Sequence, residues 1–156
     1  MKKYLKLLLA VVICEGAGII GSFFTINSVN TWYITLNKPF FNPPSWIFAP
    51  VWTFLYFLMG ISLFLVWNSK NKKEKPNGLK YFYIQLALNT LWSIIFFGFK
   101  SPSLALLELL FLWIMIVLTI RHFLKVNKNA AYLLFPYLAW VSFASLLNFA
   151  IVLLNK

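Results

Sequence analysis

Acidic residues, histidine and cysteine are nearly missing from this chain: three Asp or Glu, one His and one Cys in 156 residues. That scarcity excludes several kinds of chemistry. A single cysteine, Cys14, permits no intrachain disulfide and no cysteine-based metal cluster. There is no His/Cys/Asp/Glu group spaced to hold a metal, no Ser–His–Asp set and no glycine loop of the phosphate-binding kind, so no metal and no cofactor are expected. Charge is also short. Charged residues make up 11% of the chain, against roughly 25% in soluble domains.

What fills the gap is apolar and aromatic: 62% hydrophobic residues and 20% Phe, Trp and Tyr. The apolar residues gather into five runs near 5–27, 46–67, 80–98, 103–124 and 130–154, each close to the ~20 residues that cross a hydrocarbon core as a helix. An unclosed spanning segment satisfies its backbone in lipid only as a helix. The expected fold is therefore an all-α integral membrane protein, a five-transmembrane-helix bundle making one domain over 1–156, with a structured first extracytoplasmic loop. The basic start resembles a signal peptide, but the apolar run continues to Ile26 with no Ala-x-Ala-like site, so the first helix is expected to be retained.

The net charge of +11 does not indicate nucleic acid, because the basic residues sit between the apolar runs. Lys2, Lys3, Lys6, Lys70, Lys72, Lys73, Lys75, Lys80, Arg121, Lys125 and Lys128 fall on one side of a five-span arrangement; Lys38, Lys100 and Lys156 fall on the other. The positive-inside rule then places the N-terminus in the cytoplasm and the C-terminus outside, in what is expected to be a bacterial cell membrane. The loop from Asn68 to Gly78 reads as a solvated, flexible connector. Ser101 is expected to cap the fourth helix, with Pro102 at its first position.

One stretch, Trp32 to Trp67, is unlike an ordinary connection. Pro39, Pro43, Pro44 and Pro50 alternate with Trp32, Tyr33, Phe40, Phe41, Trp46, Phe48 and Trp52. Proline stiffens a backbone, so the loop reads as a lid over something flat and apolar. Polar and aromatic residues also align on helix faces: Gln85, Asn89, Trp92, Ser93 and Phe96; Tyr137, Trp140, Ala144 and Asn148; Trp52 with Tyr56; and Glu15, Gly18, Ser22 and Thr25. Amides in hydrocarbon need partners and should face inward. Such stripes arise either from interhelical packing or from a ligand cavity. Helical rise puts Trp52 about 9 Å below the outer boundary and Trp140 and Asn89 near the midplane, which suits a wide, uncharged aromatic cavity beneath the loop, with a few amides and hydroxyls to orient a planar ligand. Glu108, in the second turn of its helix, reads as an interfacial acid. Glu15 is deeper and is expected to be protonated or bonded to a neighbouring Ser or Thr. His122 reads as interfacial and remote from the cavity.

Three ordered motifs cover nearly the whole chain: WYxxLxKPxFxPPxWxFxPVWTxLYxxMG from Trp32 to Gly60, QLxLNxxWSxxFFG from Gln85 to Gly98, and PYLxWVxFAxxLN from Pro136 to Asn148. In these the chain resembles the TspO/MBR family, which includes bacterial tryptophan-rich sensory proteins and mitochondrial translocator proteins. The resemblance implies a five-helix bundle, usually a homodimer, that binds tetrapyrroles such as protoporphyrin IX. The family's pocket maps onto Tyr33, Pro43, Pro44, Trp52, Tyr56, Asn89, Trp92, Trp140, Ala144 and Asn148. In some bacterial relatives light-driven porphyrin degradation depends on two pocket tryptophans, which match Trp52 and Trp140; these would be the catalytic residues if degradation occurs. The expected activity is a membrane receptor for porphyrin-type ligands. A light- and oxygen-dependent porphyrin-degrading enzyme, a porphyrin transporter and a purely structural bundle are the alternatives. The expected partners are a planar apolar ligand, membrane lipid and a second copy, with no nucleic acid. The family's proposed cholesterol motif is not matched, since no basic residue follows Asn148 before Lys156, and that departure counts against cholesterol.

Overall fold

Proline opens three of the helices, where its missing N–H breaks no helical bond and its fixed φ suits the first turn. Pro76, Pro102 and Pro136 take these positions in α3, α4 and α6. The computed structural model describes residues 1–156 and is all-helical: α1 Lys3–Val29, α2 Phe48–Trp67, α3 Lys75–Ser93, α4 Pro102–Val126, α5 Lys128–Tyr132 and α6 Phe135–Leu154. Short 3₁₀ turns at Tyr33–Thr35 and Ser45–Ile47 stiffen the loop before α2, and a π turn at Ile94–Gly98 closes α3. Ser101 caps α4 as its sequence position predicts: its Oγ accepts from the Leu104 N–H at 3.4 Å.

Five stretches are long and apolar enough to cross a membrane: Lys3–Val29, Ser45–Trp67, Lys75–Gly98, Pro102–Val126 and Lys128–Leu154. The fifth differs from expectation. It is two helices, interrupted at Leu133 and Leu134, because Pro136 cannot donate to the turn before it. Leu8, Val12, Ile19, Phe23, Leu107, Phe111, Ile114 and Phe149 point outward. A belt of large apolar side chains on the outside fits a lipid surround and no aqueous one, so the chain is a multi-pass membrane protein.

Close approach between helices comes from glycine and hydroxyl positions, as is usual where lipid supplies no hydrophobic drive. Gly18 of α1 lies against the Tyr56 ring of α2, and Gly60 of α2 lies against the backbone of Val11. Thr90 Oγ1 donates to the Ala17 carbonyl at 3.0 Å, and Ser62 Oγ donates to the Ala130 carbonyl at 2.7 Å. The inner core at this level includes Met59, Leu63, Phe82, Leu112, Ile116, Phe123 and Val141.

The α2–α3 connection is not the loose segment its composition suggests. Asn71 Nδ2 donates to the Lys125 carbonyl at 2.9 Å, and its Oδ1 accepts from the backbone of Lys73 and Glu74. Glu74 pairs with His122 Nδ1 at 3.0 Å and with Lys125 Nζ at 3.7 Å. These partners come from the far end of α4, so local composition could not reveal them. The His122 hydrogen bond, helped by Lys125, holds the Glu74 carboxyl below its ordinary range.

Candidate functional site

The amides predicted to face inward do so, and they meet one another. Tyr56 donates to Asn89 Oδ1. Asn89 Nδ2 donates to the Tyr137 hydroxyl at 2.8 Å, Tyr137 donates to Gln85 Oε1 at 2.7 Å, and Gln85 Nε2 approaches Met59 Sδ at 3.8 Å. This relay crosses from α2 through α3 to α6 and leaves none of its buried groups unpaired. A second pairing lies nearer the proline-rich loop: Trp92 Nε1 donates to Asn148 Oδ1 at 3.2 Å, while Asn148 Nδ2 donates to the Pro102 carbonyl at 2.8 Å.

Between these two polar ties is a cavity lined by Trp52, Asn89, Trp92, Leu109, Leu112, Val141 and Ala144, with a free volume of only about 10 Å³. That is far below the ~300–1,000 Å³ of ordinary ligand pockets, so the wide cavity expected from the helix faces is not what the structure holds. Tyr56 leans on Trp52 at 5.6 Å and Tyr137 meets the same indole edge-on at 6.2 Å.

One aromatic ladder joins the cavity to the loop, and a second stands beside it on α6. Trp92 stacks on Phe96 at 4.9 Å, and Phe96 meets Trp32 and Tyr33 at 5.6 and 6.2 Å. On the α6 side Phe48, Trp140, Phe143 and Phe41 follow at 6.1, 5.5 and 6.3 Å. The loop is pinned at its midpoint, where the Asn37 N–H donates to Asn155 Oδ1 at 2.9 Å and Asn155 Nδ2 returns to the Asn37 carbonyl at 2.8 Å. Tyr33 is buried with its hydroxyl on Asn42 Oδ1 at 2.9 Å, and burial raises its phenol above the ordinary value of 10. Lys38 Nζ lies 4.7 Å from the centre of the Tyr33 ring. Phe40 and Trp46 turn outward, 100% and 73% exposed, so these two rings do not act as a lid.

Of the ten residues expected to bind ligand, Trp52, Asn89, Trp92 and Ala144 stand on the cavity wall. Tyr56 and Asn148 stand directly behind it as the partners of Asn89 and Trp92. Trp140 belongs to the α6 ladder and Tyr33 to the α3 ladder, and Pro43 and Pro44 lie in the loop, with Pro44 exposed. Leu109, Leu112 and Val141 complete the wall and carry no sequence signal, being apolar residues inside apolar runs. The two acids also depart from expectation. Glu108 is only 7% exposed, and both its carboxyl oxygens are buried without a partner; it shares a helix face with Ala105 and Leu112, so rotation about the axis overrides its position near the helix start. Glu15 opens onto a separate groove on the lipid side.

These features define a class: a five-span bundle whose buried amides are paired with one another and with tyrosine and tryptophan, around a small, mostly apolar cavity walled in part by two indoles. The profile of the TspO/MBR family matches residues 10–154. The chain is 47% identical to the tryptophan-rich protein TspO of Archaeoglobus fulgidus over 97% of both chains, and 48% identical to that of Chlorobaculum tepidum over 99% of this chain and 98% of the relative. It is 39% identical to the human translocator protein over 85% of this chain and 79% of the relative. The protein belongs to the TspO/MBR family.

Proposed function

We propose that this membrane protein is a receptor for porphyrin-type tetrapyrroles, acting in tetrapyrrole handling or stress sensing. The observation that carries the reading is the cavity wall itself, two indoles (Trp52 and Trp92) with aliphatic side chains, with an aromatic ladder rising from Trp92 to the loop and a second beside it on α6. Flat aromatic ligands gain from such faces through offset and edge contacts. A porphyrin exceeds the closed cavity, so binding on this reading parts the two ladders and moves the loop away from α6. In the same proposal the N-terminus is cytoplasmic, the loop lies outside a bacterial cell membrane, and the protein is a homodimer. Gly18 and Gly21 are occupied by Tyr56 and Ser93 of the same chain, so the faces open to a second copy are α1 around Gly16 and α3 around Tyr83, Ala87 and Leu91.

The test is a titration of purified protein in detergent with protoporphyrin in darkness, read by tryptophan quenching. Saturable quenching is expected, and Ala144→Phe, which fills the cavity and leaves every tryptophan in place, should weaken it at least tenfold. Non-saturating quenching, or equal affinity in Ala144→Phe, refutes the reading. Illumination in air then tests turnover: loss of the Soret band that slows in Trp52→Phe and Trp140→Phe supports degradation, and loss at an unchanged rate refutes it.

A further inference from the structure

On the lipid side of the α1–α2 pair is a second concavity, of about 600 Å³, lined by Glu15, Ala49, Pro50, Thr53, Phe54 and Phe57. None of these residues lines the central cavity. It is an open trough on the surface, so a ligand in it would keep one side against lipid. Phe54 and Phe57 give it exposed aromatic walls, and Pro50 keeps its rim rigid. One of its lining residues is a carboxyl, Glu15. Glu15 is twelve residues from the start of α1 and fourteen from its end, about 18 Å along the axis, which places it in mid-span.

A carboxyl at that depth is costly unless something complements it. The protein supplies nothing. Both ion pairs in the structure use Glu74. The one hydroxyl lining the groove donates elsewhere, Thr53 to the Ala49 carbonyl at 2.8 Å. The basic residues sit at or near helix ends and in connections. A second copy of the chain has the same distribution and offers no cation at this level.

We propose that this groove is a binding site for a lipid-soluble amine: an apolar, preferably aromatic body lying along Phe54 and Phe57 with its amino group on the Glu15 carboxyl. An amine is the class that fits whichever way the proton is placed. A neutral acid donates to a neutral amine, and a carboxylate accepts from an ammonium. In low dielectric either arrangement is a strong, short-range pair. The ring walls add attraction for the cationic form. The Thr53 oxygen, whose proton is engaged, remains free to accept a second amino hydrogen. A carboxylic acid or a plain alcohol gains neither the charge nor the second bond. The ligand enters sideways from the bilayer, because the groove opens between exposed apolar residues.

The proposal is independent of porphyrin binding and is tested separately from it. Protein in nanodiscs of zwitterionic lipid is titrated with pyrenylmethylamine, and energy transfer from tryptophan to pyrene is read against empty nanodiscs. Pyrenylmethanol and pyrenecarboxylic acid serve as matched controls. Saturable transfer is expected for the amine, at least tenfold tighter than for either control, and at least tenfold weaker in Glu15→Gln. Ala49→Phe, which fills the groove and leaves the carboxyl, should weaken it equally, while protoporphyrin quenching stays unchanged in both variants. Non-saturating transfer, or equal affinity in Glu15→Gln, overturns the proposal. So does a change of oligomeric state in Glu15→Gln without loss of amine binding, which would assign the groove to a second copy.

Discussion

Adding one methyl group at Gly18 should disturb the polar relay from behind. A Cβ there would lie 2.4 Å from Tyr56 Cε2 and 2.6 Å from Cδ2, against ordinary carbon contacts of ~3.5–4.0 Å. The ring must retreat by about 1 Å. Retreat drives it toward Trp52, already 5.6 Å away, and pulls its hydroxyl from Asn89. Overpacking of this kind costs about 1–3 kcal/mol, and a buried Asn89 oxygen left unpaired costs about 1–3 kcal/mol more. Replacing glycine in a helix returns up to about 1 kcal/mol. Gly18→Ala should therefore lose between about 1 and 6 kcal/mol net. Gly16→Ala is the matched control, since nothing lies within 4 Å of the methyl group it would add, and it should be neutral or slightly stabilising. Reversible unfolding in mixed micelles measures both, and near-ultraviolet circular dichroism reports the Tyr56 and Trp52 environment. Gly18→Ala combined with Tyr56→Leu should recover part of the loss by removing the ring edge. Equal stability of Gly18→Ala and Gly16→Ala, with unchanged aromatic dichroism, would refute the reasoning.

The remaining expectations concern the amides, the cavity and the basic end. Asn89→Leu removes the hinge between Tyr56 and Tyr137; with interhelical hydrogen bonds in bilayers averaging ~0.6 kcal/mol each, a loss of about 1–2 kcal/mol is expected by micellar unfolding. Asn148→Ala frees the Trp92 indole, which should red-shift its emission and weaken porphyrin quenching, both read by fluorescence. Glu74 has a lowered folded pKa, set first by its His122 hydrogen bond. Its contribution is therefore fully present above the ordinary value of 4.5 and is lost as pH falls through the lower folded value; hydrogen exchange of residues 69–75 should rise in that acid window, and Glu74→Gln should show fast exchange at neutral pH. Free-base and zinc protoporphyrin should differ in affinity by less than about tenfold, 1.4 kcal/mol, in the quenching titration.

How much of this was legible depends on whether the cause was local. The five spans follow from run length, which lipid thickness alone sets. The inward direction of Gln85, Asn89 and Asn148 follows from the penalty on unpaired amides in hydrocarbon. Neither inference needed tertiary detail. The wall formed by Leu109, Leu112 and Val141 did need it, because every leucine in α4 has the same chemistry and only rotation about the axis selects those that line a space. Glu108 failed for the same reason: its position near the start of α4 suggests the interface, whereas its alignment with Ala105 and Leu112 turns it inward. The ordered connection at Asn71 and Glu74 rests on His122 and Lys125, about fifty residues away in the chain, and composition has no access to pairings at that range.

The self-pairing of the amides bears on how a ligand can be recognised. Asn89 and Asn148 each have an oxygen and a nitrogen engaged with protein, and Gln85 holds Tyr137. A ligand that took one of these groups would replace one hydrogen bond with another, an exchange near zero in net free energy. It would also loosen contacts that fix α2, α3 and α6 relative to one another. The faces of Trp52 and Trp92 carry no such obligation, and aromatic contacts supply about 0.5–1.5 kcal/mol each beyond area burial. On the proposed reading, selectivity in the cavity would therefore rest on ring outline and stacking, with the amides acting as scaffold. Met59 is fully buried beside Gln85, so its sulfur is not presented to the cavity as an axial ligand, and a metal at the centre of a porphyrin should matter little. Polar recognition, where this protein has it, falls to the carboxyl that has no partner within the chain and opens to the bilayer, that of Glu15.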